Sequence, residues 1–315
     1  MKVLLIGMGG MGKVHYANSK EIDGFDIAAV VGRGADDRRA AEERGLPFYE
    51  SIDDAIAAIP SIAVVDITTP TFLHKYYAIE ALDHGLDVIS EKPLALSAKD
   101  ADKIFSLAEK KHRHVYVAQV LRYTKEYSPI KRIVEEGRYG RPVDAFFSRM
   151  SSYPGWAADS WLFDKSKSGL VPFDLHIHDL DIIISSFGIP LNVRSEEHTG
   201  CGDYWNFTYD YDGFSVRAEA GWIKAPIPFS ATYRIIFEHG TLSFDGGKLL
   251  MYEESGAVEE YDISYDKIIS TGINVPPTGW YYEELKAIKN LLESGLPSNV
   301  EYEEVVSVLR IVEGM

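Results

Sequence analysis

KVLLIGMGGMG, residues 2–12, runs an apolar stretch straight into a cluster of glycines. An apolar run this short, ended by glycine, reads as a buried strand. The six residues that close the stretch, Gly7-Met8-Gly9-Gly10-Met11-Gly12, satisfy G-x-G-x-x-G. By itself that pattern says little, since a plain tight turn also satisfies it. Here it follows a strand and opens a helix-like segment, HYANSKEI, the context in which glycines let backbone approach a pyrophosphate at a helix N-terminus. Gly7, Met8, Gly9, Gly10, Met11 and Gly12 are therefore the candidate cofactor loop.

Outward from this loop the same grammar repeats. DIAAVVG, AVVDITTP, LDVISEKP and HVYVAQV are short runs rich in β-branched residues, and ADDRRAAEERG, SIDDAIAAI, LHKYYAIEALDHG and SAKDADKIFSLAEKK between them are helix-like. Strand alternating with helix predicts a doubly wound parallel sheet, an α/β Rossmann domain over residues 1–122. After Arg122 the grammar changes. A helix near SPIKRIVEEG leads into PVDAFFSRMSSY, YWNFTYDY, FSVRAEAGWI, ATYRIIFEH, TLSFD and KLLMYEE, with Asp245-Gly246-Gly247 as a hairpin signal. A helix over YYEELKAIKNLLESG stops at Gly295. The second domain, 123–315, is expected to be α+β with an open antiparallel sheet.

Composition bounds the partners. With 315 residues, 46% of them hydrophobic, the chain can bury two sizeable cores. VLLI is too short for the apolar region of a signal peptide, and no run approaches the ~20 residues of a membrane span. A single cysteine, Cys201, excludes an internal disulfide framework and a multi-cysteine zinc site, and favours the cytoplasm. A formal charge of −16 opposes nucleic acid and anionic lipid, both polyanions, and suits a neutral metabolite.

About 20 residues beyond the fingerprint, an acid selects NAD and an arginine without an acid selects NADP. That position falls on Gly32, followed by Arg33 and Gly34; Asp36 and Asp37 come later and read as caps of the next helix. Arg33 either stacks on adenine and pairs with a 2′-phosphate or is a solvated loop arginine. The reading favours NADP, with NAD possible.

FDLHIHDLD, Phe173 to Asp181, admits two readings. As a strand it puts His176 and His178 on one face, the beginning of a metal site. As a helix it aligns Phe173, Ile177, Leu180 and Ile184 as an apolar stripe and sets His178 one turn from Asp174, a carboxylate–imidazole pair suited to proton transfer. The helix accommodates more of the apolar residues. His176 is then a substrate contact or a packed core residue.

TPTFLH from Thr69, with Pro70 and His74, then EKPLALS from Glu91 and VLRY from Val120, fall in order between the glycine loop and FDLHIHDLD. With these motifs, nearly the whole chain resembles the glucose–fructose oxidoreductase/inositol dehydrogenase family (Gfo/Idh/MocA). The resemblance implies NAD(P)-linked hydride transfer to or from a sugar, polyol or related carbonyl compound. It implies a second-domain sheet that makes oligomer contacts, here a dimer or tetramer. It places Thr69, Pro70, His74, Glu91 and Lys92 along the cofactor. Lys92, Asp174 and His178 become the catalytic residues and, with Tyr123 and Trp161, the substrate contacts; no metal is implied. Of the aromatics Tyr123, Tyr153, Trp156, Trp161, Tyr281 and Tyr282, about half are expected to be core. Gly169-Leu170-Val171-Pro172-Phe173 departs from the glycine-rich run usual before the family's aspartate. Alternatives are an NAD-dependent glycosidase of the same fold, a dinucleotide sensor without turnover, and a metal hydrolase using the HIH motif.

Overall fold

The computed structural model describes residues 1–155, 161–270 and 278–315, so Trp156 lies outside the described residues. The chain divides into two compact units, 1–123 with 265–306, and 124–264 with 307–315.

In the first unit β1 (Lys2–Ile6), α1 (Gly10–Ser19), β2 (Asp26–Val31), α2 (Ala35–Glu42), β3 (Phe48–Tyr49), α3 (Ile52–Ala58), β4 (Ile62–Ile67), α4 (His74–Asp83), β5 (Asp87–Glu91), α5 (Ala98–Lys111) and β6 (Val115–Ala118) alternate. The strands pair in parallel in the order β3-β2-β1-β4-β5-β6. This is the doubly wound order with its crossover at β1 and β4, where the carboxyl ends of the strands open a crevice. Val3, Leu4, Leu5 and Ile6 are all fully buried, as a central parallel strand requires.

The second unit contains α6 (Pro129–Glu136), β7 (Pro142–Ser152), α7 (Lys165–Ser168), a π turn at Pro172–His176 running into α8 (Ile177–Phe187), and then β8 (Asn192–His198), β9 (Gly202–Tyr211), β10 (Phe214–Ile223), β11 (Ser230–Phe237), β12 (Gly240–Phe244), β13 (Leu249–Glu253) and β14 (Val258–Tyr261). Its eight strands lie in the order β14-β13-β12-β11-β7-β10-β9-β8. The sheet differs from the expected antiparallel one at its centre, where β7 and β10 are parallel. A parallel neighbour needs a long crossover, and the chain between β7 and β10 supplies one through α8, β8 and β9. β8 and β14, absent from the sequence reading, are the two edges; NVRSEEH and VEEY are charged and mostly exposed, so they lack the apolar alternation that announces a strand.

The final segment departs from the expected division. α9 (Trp280–Ser294) belongs to the first unit, where Leu285 and Ile288 join Val3, Ile22, Phe25, Val64, Ile89 and Tyr116 in one buried cluster. α10 (Tyr302–Glu313) follows it. An apolar helical stripe specifies burial but not which sheet buries it.

α9 also sends Glu284 into this unit's interior, beside an unusual set of charges. The His15 ring, fully buried on α1, lies 2.9 Å from Asp66 Oδ2 of β4 through Nδ1 and 3.1 Å from Glu91 Oε1 of β5 through Nε2. Burial works to discharge His15, yet Asp66 and then Glu91 hold its pKa well above the ordinary 6.5. Glu284 is completely buried and neither carboxyl oxygen takes a hydrogen bond among the described residues. Its pKa is pushed well above 4.5, first by burial and then by the Glu91 charge, which favours the neutral acid over the carboxylate.

Both raised groups act in one direction. A folded-state pKa above the unfolded one gives stability that is complete below the unfolded value and is lost as pH rises through the folded value. Stability is therefore expected to fall as pH rises above about 4.5, the ordinary value for Glu284, and again above about 6.5, that for His15, and Glu284→Gln, which cannot ionise, should flatten the fall in denaturant melts taken across a pH series that starts below 4.5. A slope identical to that of the parent protein would contradict this. Ile288→Ala should cost about 2–5 kcal/mol in the same melts if α9 completes the first core.

Candidate functional site

At the carboxyl end of β1 the glycine loop is fixed by close approach. Gly7 has φ +86°, a left-handed value, and a Cβ there would stand 3.0 Å from Thr69 Cγ2. A Cβ on Gly12 would stand 2.2 Å from the Gly7 carbonyl oxygen, so no other residue fits while α1 leaves the loop at this angle. At Gly9 the opposite holds: a Cβ would meet nothing within 4 Å. Gly9 is the N-cap of α1, which has no side-chain cap and no acid in its first turn. Open space before uncapped N–H groups at the positive end of a helix dipole suits a pyrophosphate.

Two further loops flank this one. After β4, the Thr68 hydroxyl donates to the Gly7 carbonyl at 2.8 Å, holding the TPT segment to the glycine loop. After β5, Glu91 shares its carboxylate: Oε1 faces His15 while Oε2 accepts the Lys92 backbone N–H at 3.1 Å. The Lys92–Pro93 peptide is cis. His74, buried, has Nδ1 2.7 Å from the Pro93 carbonyl and Nε2 2.8 Å from the Thr69 carbonyl. Burial lowers its pKa, and both ring nitrogens lie against backbone carbonyls, to one of which the neutral ring donates its single N–H. His74 is therefore a brace between the TPT and EKP loops. Lys92 is half-buried at the carboxyl end of its strand.

FDLHIHDLD is helical, which overturns the strand reading, and its first turn is a π turn, a feature frequent at functional sites. Phe173, Ile177, Leu180 and Ile184 are buried as the helical spacing predicts. Asp174 and His178 are half-buried. Their neighbours are locked. Asp179 takes a bidentate pair from Arg149 of β7, with Nε–Oδ2 and Nη2–Oδ1 both 2.8 Å, in full burial. His176 stacks on Phe207 with ring centroids 3.7 Å apart and lies 2.6 Å from the Tyr209 hydroxyl through Nε2. Burial pulls its pKa down to about 3, so it is a neutral core residue and not a substrate contact.

Other expected contacts are redistributed. Tyr123 packs partly buried against the first unit's buried cluster with Tyr282. Trp161 is half-buried in a short 3-10 turn of the second unit. In that unit Tyr153 stacks on Phe163 at 4.6 Å, and both line a cavity of about 440 Å³ with Leu170, Asp203 and Trp222. Arg33 is exposed, its guanidinium 5.2 Å from the Tyr76 ring centroid on α4. Asp37 does not cap α2, whose N-cap is Gly34. Its Oδ1 accepts the Met8 N–H at 2.8 Å, so the glycine loop does have a carboxylate beside it, which counting along the sequence missed.

Comparison with known proteins agrees with this anatomy. Residues 1–119 match the family described as "Oxidoreductase family, NAD-binding Rossmann fold", GFO/IDH/MocA, and residues 127–243 match the GFO/IDH/MocA C-terminal domain. The chain is 31% identical to a levoglucosan dehydrogenase of Pseudarthrobacter phenanthrenivorans over 58% of its length and 50% of that protein. It spans about half the length of the first curated relatives it matches. It is 24% identical to a D-xylose 1-dehydrogenase (NADP(+)) of Haloferax volcanii, over 99% of this chain and 95% of that one. An Agrobacterium radiobacter oxidoreductase solved with NAD+, L-tartaric acid and magnesium superposes with a TM-score of 0.83 at 20% identity, covering 99% and 94% of the two chains, which shows a shared fold. No helix among the described residues is long and apolar enough to cross a membrane. With both of its domains matched, this chain belongs to the GFO/IDH/MocA oxidoreductase family.

Proposed function

We propose that this chain is an NAD(P)-linked oxidoreductase that moves a hydride between nicotinamide and a CH–OH group of a sugar, polyol or related carbonyl compound. The observation that carries the reading is the braced carboxyl end of β5. Glu91 holds the Lys92 amide while His74 ties the same loop to the TPT segment, which is itself tied to the glycine loop. A lysine so placed, at the strand ends where doubly wound folds bind ligands, fits a positioned cation and not a solvated surface residue.

Bound nicotinamide would accept or donate the hydride. The chain's own residues must handle the proton and the oxygen charge. Oxidising a secondary alcohol requires its O–H proton to leave as hydride leaves carbon. We assign His178 as the base, since imidazole changes charge near neutral pH. Asp174 orients it and stabilises its cationic form. Lys92 hydrogen-bonds the developing alkoxide, or the carbonyl oxygen in the reverse direction. The substrate is sought by following NADH and NADPH absorbance with sugars, inositols and their keto forms.

We also propose a homo-oligomer formed through the second unit's sheet, with a second copy of this chain as its partner. Ala145, Phe147, Tyr233 and Ile235 point into the buried side, while Phe146, Met150, Ile236 and Leu250 on the other side stay partly exposed in a row with Arg217 and Arg234. An apolar face of this kind needs cover.

His178→Ala and Lys92→Ala are each expected to lower kcat by roughly 10²–10⁴-fold, with cofactor affinity nearly unchanged for His178→Ala, and Asp174→Asn should lose rate as well. His176→Ala should leave kcat largely intact while lowering the melting temperature, because it removes a packed ring from the core. Steady-state kinetics showing equal losses at His176 and His178, together with sensitivity to a chelator, would return the motif to a metal site. Light scattering at micromolar concentration should give a dimer or tetramer, and Ile236→Asp should shift it towards monomer; a monomeric parent protein would refute the assembly.

A further inference from the structure

The adenosine end of the cofactor loop departs from the usual arrangement in a way that residue counting conceals. β2 ends at Val31 and the next residue, Gly32, has no side chain to read a ribose. Its place is filled from elsewhere. A Cβ built on Gly32 would lie 2.6 Å from Asp37 Cβ and 2.6 Å from Asp37 Oδ2, so the Asp37 side chain occupies the space where a residue 32 side chain would begin. Oδ1 of the same carboxylate accepts the N–H of Met8, the second residue of the fingerprint, at 2.8 Å. Asp37 thus bridges the end of β2 and the glycine loop, the corner where a strand-end acid reads the adenosine ribose in Rossmann folds.

The charges around it leave this carboxylate uncompensated. Arg38 pairs with Glu50 at 3.0 Å and Arg39 with Asp36 at 2.7 Å. Arg33 lies over Tyr76 and Tyr77 and makes no ion pair with Asp37. Among the described residues Oδ2 takes no hydrogen bond, and Asp37 is only half-buried, so the oxygen is accessible. An ionised carboxylate only accepts hydrogen bonds. It therefore suits a vicinal diol, which brings two O–H donors, and repels a phosphate dianion.

We propose that Asp37 substitutes for the missing strand-end acid, accepts the hydroxyls of the adenosine ribose, and makes the chain prefer NAD(H) to NADP(H). The inference rests on the dinucleotide reading above and reverses the expectation drawn from Gly32 and Arg33. Arg33 remains available to stack on adenine, with its charge too exposed to outweigh a carboxylate fixed at the ribose.

The test is calorimetric titration of the full chain with NADH and NADPH, in the parent protein and in Asp37→Asn, Asp37→Ala and Arg33→Ala. Asp37→Asn keeps an oxygen for the Met8 N–H and removes only the charge, so the loop is preserved; thermal melts confirm folding, and Asp37→Ala serves as a second removal of the charge. The parent should bind NADH about tenfold or more tightly than NADPH, and both Asp37 variants should narrow or invert the ratio by about 10–100-fold, weakening NADH and tightening NADPH. Tighter NADPH binding by the parent would overturn the proposal, as would a ratio unchanged in both Asp37 variants but altered in Arg33→Ala. Binding of neither dinucleotide by the folded parent would overturn the underlying cofactor reading as well.

Discussion

The imidazole of His15, buried between Asp66 and Glu91, joins three elements that the cofactor chemistry needs in register: α1 behind the glycine loop, β4 before the TPT segment, and β5 before Lys92. Burying three ionisable side chains together is costly, and the cost is offset only while each carboxylate keeps its hydrogen bond to the ring. Remove the ring and two acids remain buried beside Glu284, whose own pKa is already raised by burial and by the Glu91 charge. Such an arrangement fixes geometry more than it adds stability. Glu91 has one oxygen on His15 and the other on the Lys92 amide, so the position of the lysine backbone is set from the helix that carries the cofactor loop. The glycine loop and Lys92 are thereby joined through one buried hydrogen-bonded cluster.

The second unit solves a related problem with a different pair. Arg149 and Asp179 are both nearly unexposed and meet in a bidentate pair, with the Tyr127 hydroxyl 3.2 Å from the same guanidinium. This pair pins the first turns of α8 to the sheet, and His176 pins the preceding π turn to β9 through Tyr209 and Phe207. In a segment dense in histidine and aspartate, some members are buried anchors and others stay half-buried. Asp179 and His176 belong to the first group, Asp174 and His178 to the second.

The same division of labour appears at the end of β2. Asp36 and Asp37 are adjacent and chemically identical, yet Asp36 pairs on the surface with Arg39 while Asp37 turns back onto the glycine loop. The small size of Gly32 makes this possible, since any side chain there would collide with Asp37. A glycine that looks like the loss of a strand-end side chain is the condition for bringing a carboxylate there from the neighbouring helix.

The sequence by itself determined the doubly wound first half, the glycine loop, the helical nature of FDLHIHDLD and the motifs that place the chain in its family. These are local patterns: a period of two or 3.6 residues, a glycine spacing, a strand followed at once by a turn. The tertiary structure decided what depends on distance through space. It assigned α9 to the first core, paired β7 with β10 in parallel, buried His176, packed Tyr123 partly against the first core, turned His74 into a brace and moved Asp37 onto the glycine loop. None of these leaves a periodic trace, because a side chain's partner is set by which surfaces the fold brings together, while its spacing along the chain records only which face it occupies. The charged edge strands β8 and β14 were invisible for the complementary reason: solvent on their exposed sides removes the apolar alternation, and their backbone pairing is supplied wholly by neighbours distant from the motif that first defined the fold.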